Sequence, residues 1–315
     1  MYGLNWEYMK KVVLLSVILL SFTVALFLSQ NESKTESAIP SVTVSTFALY
    51  DIAKHIGGAN VDVQMVIPFG VEVHSFEPTP KTIVNIQKSR LFLYSGADLE
   101  PWIIKLAQGD NMRDMSKFVD LKAAHEKCNG HDKEGHHAHH AYDPHYWLDI
   151  NNMKLLTQKI ALSFVKMDEA NEALYVKRAA AYIEELSALD KAYKERLEDC
   201  QVREVVLHHN VLGYVAAAYG FNVSPLTGLS PDALADAQTM ARLSTMIKEK
   251  GIEVLFFEAF VSDRLMQSLA KENGVELDYL EPLANITADQ ALSGMSYTQG
   301  MYINLDKLTH AMRCE

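Results

Sequence analysis

From Ser41 onward the chain alternates short apolar runs with amphipathic segments, and does so twice, on either side of two long stretches without Gly or Pro. That alternation is the signature of α/β layers, where buried strands are covered by helices. SVTVST (41–46), VDVQMVI (61–67) and LFLY (91–94) read as strands of a first lobe. Helices are expected up to Gly57-Gly58, from the Thr79-Pro80 cap pair to about Ser89, and near 100–108. REVVLH (203–208), FNVSPL (221–226), IEVLFF (252–257) and VELDYL (275–280) read as strands of a second lobe. Its helices are expected at 211–219, from Pro231 to Gly251, at 262–273 and at 297–312. Between the lobes lie helical patterns at Asn151–Met167 and Ala170–Leu197. The second is rich in strong helix formers and would reach about 40 Å.

The expected architecture is therefore α/β: two lobes with parallel-type sheets, joined by a long rigid linking helix. The boundaries read as an N-terminal segment at 1–40, a first lobe at 41–168, the linking helix at 169–199 and a second lobe at 200–315.

Composition narrows the function classes. With 49% hydrophobic residues in a chain of 315, a packed core is expected. The net charge of -11 argues against a nucleic-acid surface and fits contact with cations. Three cysteines, Cys128, Cys200 and Cys314, form no CxxC pair, which argues against a cysteine zinc site. Cys200 and Cys314 either pair in an oxidising compartment or are unrelated thiols. At the N-terminus, Lys10 and Lys11 precede the uncharged span Val12–Leu28, expected to be an export signal or an uncleaved membrane anchor. The charges ahead of it predict a body outside the cytoplasm.

In open α/β sheets, ligands bind beyond the carboxyl ends of the strands. His74, His209 and Glu281 each follow a predicted strand, and His145 sits in HAYDPHYWLD, so two come from each lobe. Three neutral imidazoles and a carboxylate make a full tetrahedral set for Zn²⁺, with no corner left for a reacting water. His208 competes with His209, Glu258 competes with Glu281, and Glu72 and Glu77 stand near His74. The insertion HEKCNGHDKEGHHAHH (125–140) has the composition of an auxiliary metal-binding tract, through His125, His131, His136, His137, His139 and His140. It reads either as a collector feeding the cleft or as a solvated loop.

FALYDIAKHIGG (47–58), IPFGVEVHSFEPTP (67–80), LFLYSGADLEPWI (91–103), DPHYWLD (143–149), HNVLGYVAAAYG (209–220), LTGLSPDALAD (226–236) and VLFFEAFVSDRL (254–265) follow one another in a telling order. In that order they resemble the zinc/manganese solute-binding proteins of ABC importers, the ZnuA/TroA-like family. The resemblance implies metal ligands at His74, His145 and His209, with Glu281 of LEPL as the fourth. Histidine at the third position resembles zinc members, whereas manganese members tend to carry Glu there, and Mn²⁺ favours more oxygen donors. The family's lipid-bearing Cys has no counterpart after the apolar span. The implied role is extracytoplasmic capture of Zn²⁺ by a monomer, without catalysis, and delivery to the membrane permease of an ABC transporter. Competing readings are a manganese or iron binder of the same fold, an adhesin-like surface protein, and a zinc hydrolase. The last would need an open corner and a base such as Glu72 or Glu258, and the chain has no HExxH motif.

Overall fold

Among the described residues, eight strands form two four-stranded sheets in which every pair is parallel. The first sheet holds β1 (Ser41–Val44), β2 (Asp62–Met65), β3 (Leu91–Tyr94) and β4 (Met112–Asp114), in the order β2-β1-β3-β4. The second holds β5 (Glu204–Leu207), β6 (Asn222–Pro225), β7 (Val254–Glu258) and β8 (Glu276–Leu280), in the matching order β6-β5-β7-β8. The two lobes therefore repeat one winding. In each, the order reverses beside the first strand, which opens a crevice at the strand ends. Val42, Val44, Phe92, Leu93, Val206 and Leu255 are buried, as expected where helices cover both faces of a parallel sheet.

This computed structural model describes residues 39–106, 109–124, 141–231 and 235–315, with Trp6, Met9, Lys10 and Ser16. The histidine-rich tract at 125–140 and, apart from Ser16, the apolar span at 12–28 lie outside the described residues. No helix among the described residues is long and apolar enough to cross a membrane. The chain divides into two compact units, Met1–Ile39 and Pro40–Glu315, and all that follows concerns the second.

Nine α-helices accompany the sheets among the described residues: α1 (Phe47–Gly57), α2 (Pro80–Lys88), α3 (Ile150–Met167), α4 (Glu172–Arg196), α5 (Gly213–Tyr219), α6 (Ala237–Lys250), α7 (Arg264–Asn273), α8 (Ala288–Leu292) and α9 (Tyr297–Met312). Thr79 caps α2 as expected, accepting from the Thr82 backbone N–H. Residues 101–105 form a 3₁₀ helix where an α-helix was expected. Helix α6 begins at Ala237 rather than at Pro231, because the Asp236 carboxylate accepts from the Thr239 backbone N–H and caps it there. Strand β4 was not expected: MRD carries two charges in three residues and is a strand only because β3 offers it an edge.

Helix α4 supplies the link. Its buried residues Tyr175, Ala179, Tyr182, Leu186, Leu189 and Tyr193 recur at three and four residues, so they form one stripe. The stripe packs against α3, α1 and α9. Each buried tyrosine hydroxyl has an acceptor: Tyr175 on Asp168, Tyr182 on Asp51, Tyr193 on the Met301 carbonyl. Full burial of such a ring contributes roughly 1.5–3 kcal/mol. One contiguous core takes in Val42 and Val44 of the first sheet and Val205 and Leu207 of the second.

Two further ties hold the body together. A disulfide joins Cys200, ahead of β5, to Cys314, just past α9, so the pairing alternative is the one realised. The segment after β8 is bonded to the first lobe. Phe47 donates its backbone N–H to the Ala284 carbonyl at 2.7 Å, and Gly70 donates to Ile286 at 2.9 Å. The Asn285 amide donates to the carbonyls of Pro68 and Val71, both at 2.7 Å. Trp147 Nε1 donates to the Pro282 carbonyl at 2.9 Å.

Candidate metal centre

The loop from β2 to α2 carries His74. Asn285 holds its start from the other lobe, and Glu72 accepts from the Ser75 backbone N–H at 2.9 Å, closing a tight turn around the histidine. His145 precedes a 3₁₀ turn at Tyr146–Leu148 and is 1% exposed. Asp143, two residues earlier, accepts both the backbone N–H of His145 and a contact from its Nδ1 at 2.8 Å. With Nδ1 held as the donor, the lone pair of His145 lies on Nε2.

His209 follows β5. The β5–β7 register pairs Leu207 with Phe256, and the ladder continues as His208 donates to the Phe256 carbonyl at 3.0 Å. Two residues further on, His209 and Glu258 are neighbours, with Nδ1 3.1 Å from Oε2. Glu258 ends β7 beside β5, at the point where the sheet order reverses.

The three histidines converge. Their ligating nitrogens lie within 4.8 Å of one another, and Nε2 of His145 is 3.4 Å from Nε2 of His74. Two nitrogens bound at zinc distances on a tetrahedral ion are about 3.3–3.4 Å apart. The spacing is thus that of two ligands on one such ion. The three histidines themselves line a cavity, with Glu72, Trp147 and Glu258, of about 20 Å³, the scale of a single ion rather than of an organic ligand.

Glu281 is not among these residues. Asn304 of α9 clamps both its backbone N–H and its carbonyl at 2.8 Å, and its Oε1 accepts from Gln290 of α8 at 2.6 Å. The Gln290 bond holds the carboxylate toward α8, with Oε2 buried and without a hydrogen bond, and Ala284 and Asn285 line the cavity instead. Glu77 pairs with Lys105 at the surface. His208 belongs to a second buried group with His209 and Glu258. The six histidines of 125–140 lie outside the described residues. Sequence reasoning passed over Asp143, although its D-x-H spacing to His145 is a local turn signal, and over Asn285, for which nothing local speaks.

Electrostatics differ between the lobes. Burial pushes the His145 imidazole below its ordinary value, outweighing the opposing pull of Asp143. Burial acts the same way on His209, but Glu258, aided by Glu72 and Asp143, more than reverses it and holds that ring above the ordinary value. Burial pushes the Glu281 carboxyl up, against the hydrogen bond from Gln290.

The frame is two parallel α/β lobes of one winding that bring a histidine trio together at their strand ends. Residues 42–311 match the family described as zinc-uptake complex component A, periplasmic, and the chain belongs to that family. It is 33% identical over 313 residues to the zinc-binding lipoprotein AdcA of Streptococcus pneumoniae, covering 95% of this chain and 60% of that one. It therefore spans about three fifths of the length of that relative. It is 33% identical over 277 residues to the high-affinity zinc uptake system protein ZnuA of Bacillus subtilis, covering 86% and 87%. The Zn(II)-bound ZnuA-like domain of Streptococcus pneumoniae AdcA superposes with a TM-score of 0.72 at 29% identity, over 87% of this chain and 98% of that one.

Proposed function

We propose that this protein captures one Zn²⁺ between its lobes and yields it to the membrane permease of an ABC importer, outside the cytoplasm. The observation that carries the reading is the 3.4 Å separation of the His74 and His145 Nε2 atoms, with His209 of the other lobe completing the trio. His74, His145 and His209 supply three neutral nitrogens. The fourth corner is left to a solvent oxygen, since Glu281 does not line the cavity and accepts from Gln290. A solvent oxygen beside Glu72 and Glu258 is also what a zinc hydrolase would need. The carrier reading is supported by a cavity too small for a substrate of any bulk and by kinship with zinc-uptake proteins. Kinship with proteins named for zinc uptake supports zinc over manganese as cargo. We read the tract at 125–140 as an auxiliary collector and residues 1–40 as the exporting or anchoring segment.

The test is zinc titration of the full chain and of a variant lacking 125–140. One tight zinc per chain survives the deletion, and His145→Ala in that background abolishes it. Retention of parental affinity by His145→Ala overturns the reading. X-ray absorption is expected to report three imidazoles and one light oxygen.

A further inference from the structure

Both carboxylate oxygens of Glu258 are buried and lack a hydrogen bond, in a residue 1% exposed. A buried carboxylate in that condition is costly unless a proton donor or a positive group faces it. Two imidazoles do: His209 Nδ1 at 3.1 Å and His208 Nδ1 at 3.8 Å. The nearer contact is within reach, yet His209 Nδ1 is itself without a formed hydrogen bond.

The first lobe holds the completed version of the same relation. Asp143 meets His145 Nδ1 at 2.8 Å, and both residues are buried. Each lobe thus sets a carboxylate behind one imidazole of the trio, bonded at 2.8 Å in one lobe and within reach at 3.1 Å in the other. A cation on Nε2 withdraws electron density from the ring and makes Nδ1–H a stronger donor, which is how such carboxylates orient metal-bound histidines.

We propose that Glu258 is the positioning residue for His209, its carboxylate drawing in the Nδ1–H bond as the cation settles on the opposite nitrogen. The second-lobe imidazole is then the last ligand to close and the first to let go, and Glu258 governs release more than capture. This deepens the zinc-binding reading above and rests on it.

Stopped-flow zinc loading of the full chain and chelator-driven release test the idea, using Glu258→Gln, Glu258→Asp and His208→Gln. Glu258→Gln is expected to speed release and weaken affinity about 10- to 100-fold. Its association rate and its count of bound imidazoles should match the parent, and His208→Gln should release zinc like the parent. Parental release from Glu258→Gln overturns the proposal. So does an equal loss in His208→Gln, which would make Glu258 a core partner of that ring, or an oxygen ligand lost from the absorption spectrum, which would make Glu258 a ligand itself. If Glu258→Gln does not fold, Glu258→Asp carries the test: faster release supports the proposal and parental release overturns it. Failure of the parent to bind zinc through His74 and His145 sinks the underlying reading instead.

Discussion

The Nε2 atoms of His74 and His145, 71 residues apart in sequence, stand 3.4 Å from each other. Asp143 on the far nitrogen of His145 leaves Nε2 as an acceptor, so a shared cation satisfies both rings at once. Replacing His74, His145 or His209 by Ala is expected to weaken zinc binding by at least about a hundredfold, since each removes a ligand outright. Glu281→Gln should stay within about threefold of the parent, because its oxygen serves Gln290. Competition against a chromophoric chelator checks both, and a large loss in Glu281→Gln would return that carboxylate to the ligand set.

Gly213 opens α5 directly over Asp143. A Cβ there would sit 2.9 Å from Asp143 Oδ2, and that carboxylate is already committed to His145. Gly213→Ala should therefore impair zinc binding even though alanine favours a helix. Gly220→Ala is the contrast: nothing lies within 4 Å of its Cβ, but φ is +76°, so it should cost about 1–2 kcal/mol of stability and leave zinc binding alone. Melting curves and zinc titrations on the two variants should separate along these lines.

Glu100 predicts a dependence of stability on pH. Its carboxylate accepts from the backbone N–H groups of Ser95 and Gly96, both at 2.8 Å, yet burial still pushes it up to about 7 from the ordinary 4.5. Between those values the folded protein keeps a proton that the unfolded chain has released. Stability is then greatest below pH 4.5 as far as this group is concerned, and falls as pH rises toward 7 by an amount on the order of 3 kcal/mol. Glu100→Gln should flatten that slope in urea titrations run at several pH values. It should also lower the baseline, since an amide cannot accept from both N–H groups.

The Cys200–Cys314 bond closes a loop across 114 residues. Loop-closure entropy assigns such a cross-link up to about 5 kcal/mol. Reduction, or Cys314→Ser, should lower the melting temperature markedly and leave zinc affinity unchanged, because the bond lies beyond α9 and away from the histidines. Parallel calorimetry and zinc titration on oxidised and reduced protein would check it.

Much of the fold was legible because periodicity and punctuation agree: Thr79-Pro80 opens α2, Gly251 and Gly274 close α6 and α7, and the buried strands read as apolar runs. What escaped was decided at a distance. MRD becomes β4 through the edge of β3, and Asp236 rather than Pro231 begins α6 through a side-chain cap. The three histidines could be placed from strand ends and motifs. The direction of Glu281 could not, because Gln290 of α8 holds its carboxylate while Asn304 of α9 pins its backbone.

Asn285 fastens the loop that leads to His74 with two bonds, and Phe47 and Gly70 add two more across the same seam. A molecule stitched in this way does not swing apart like a hinged shell. Escape of a bound ion would instead run through His209, the imidazole backed only by Glu258, while residues 68–75 stay in place. Amide hydrogen exchange at 68–75 should therefore stay slow and independent of spontaneous zinc loss, as should that of α4.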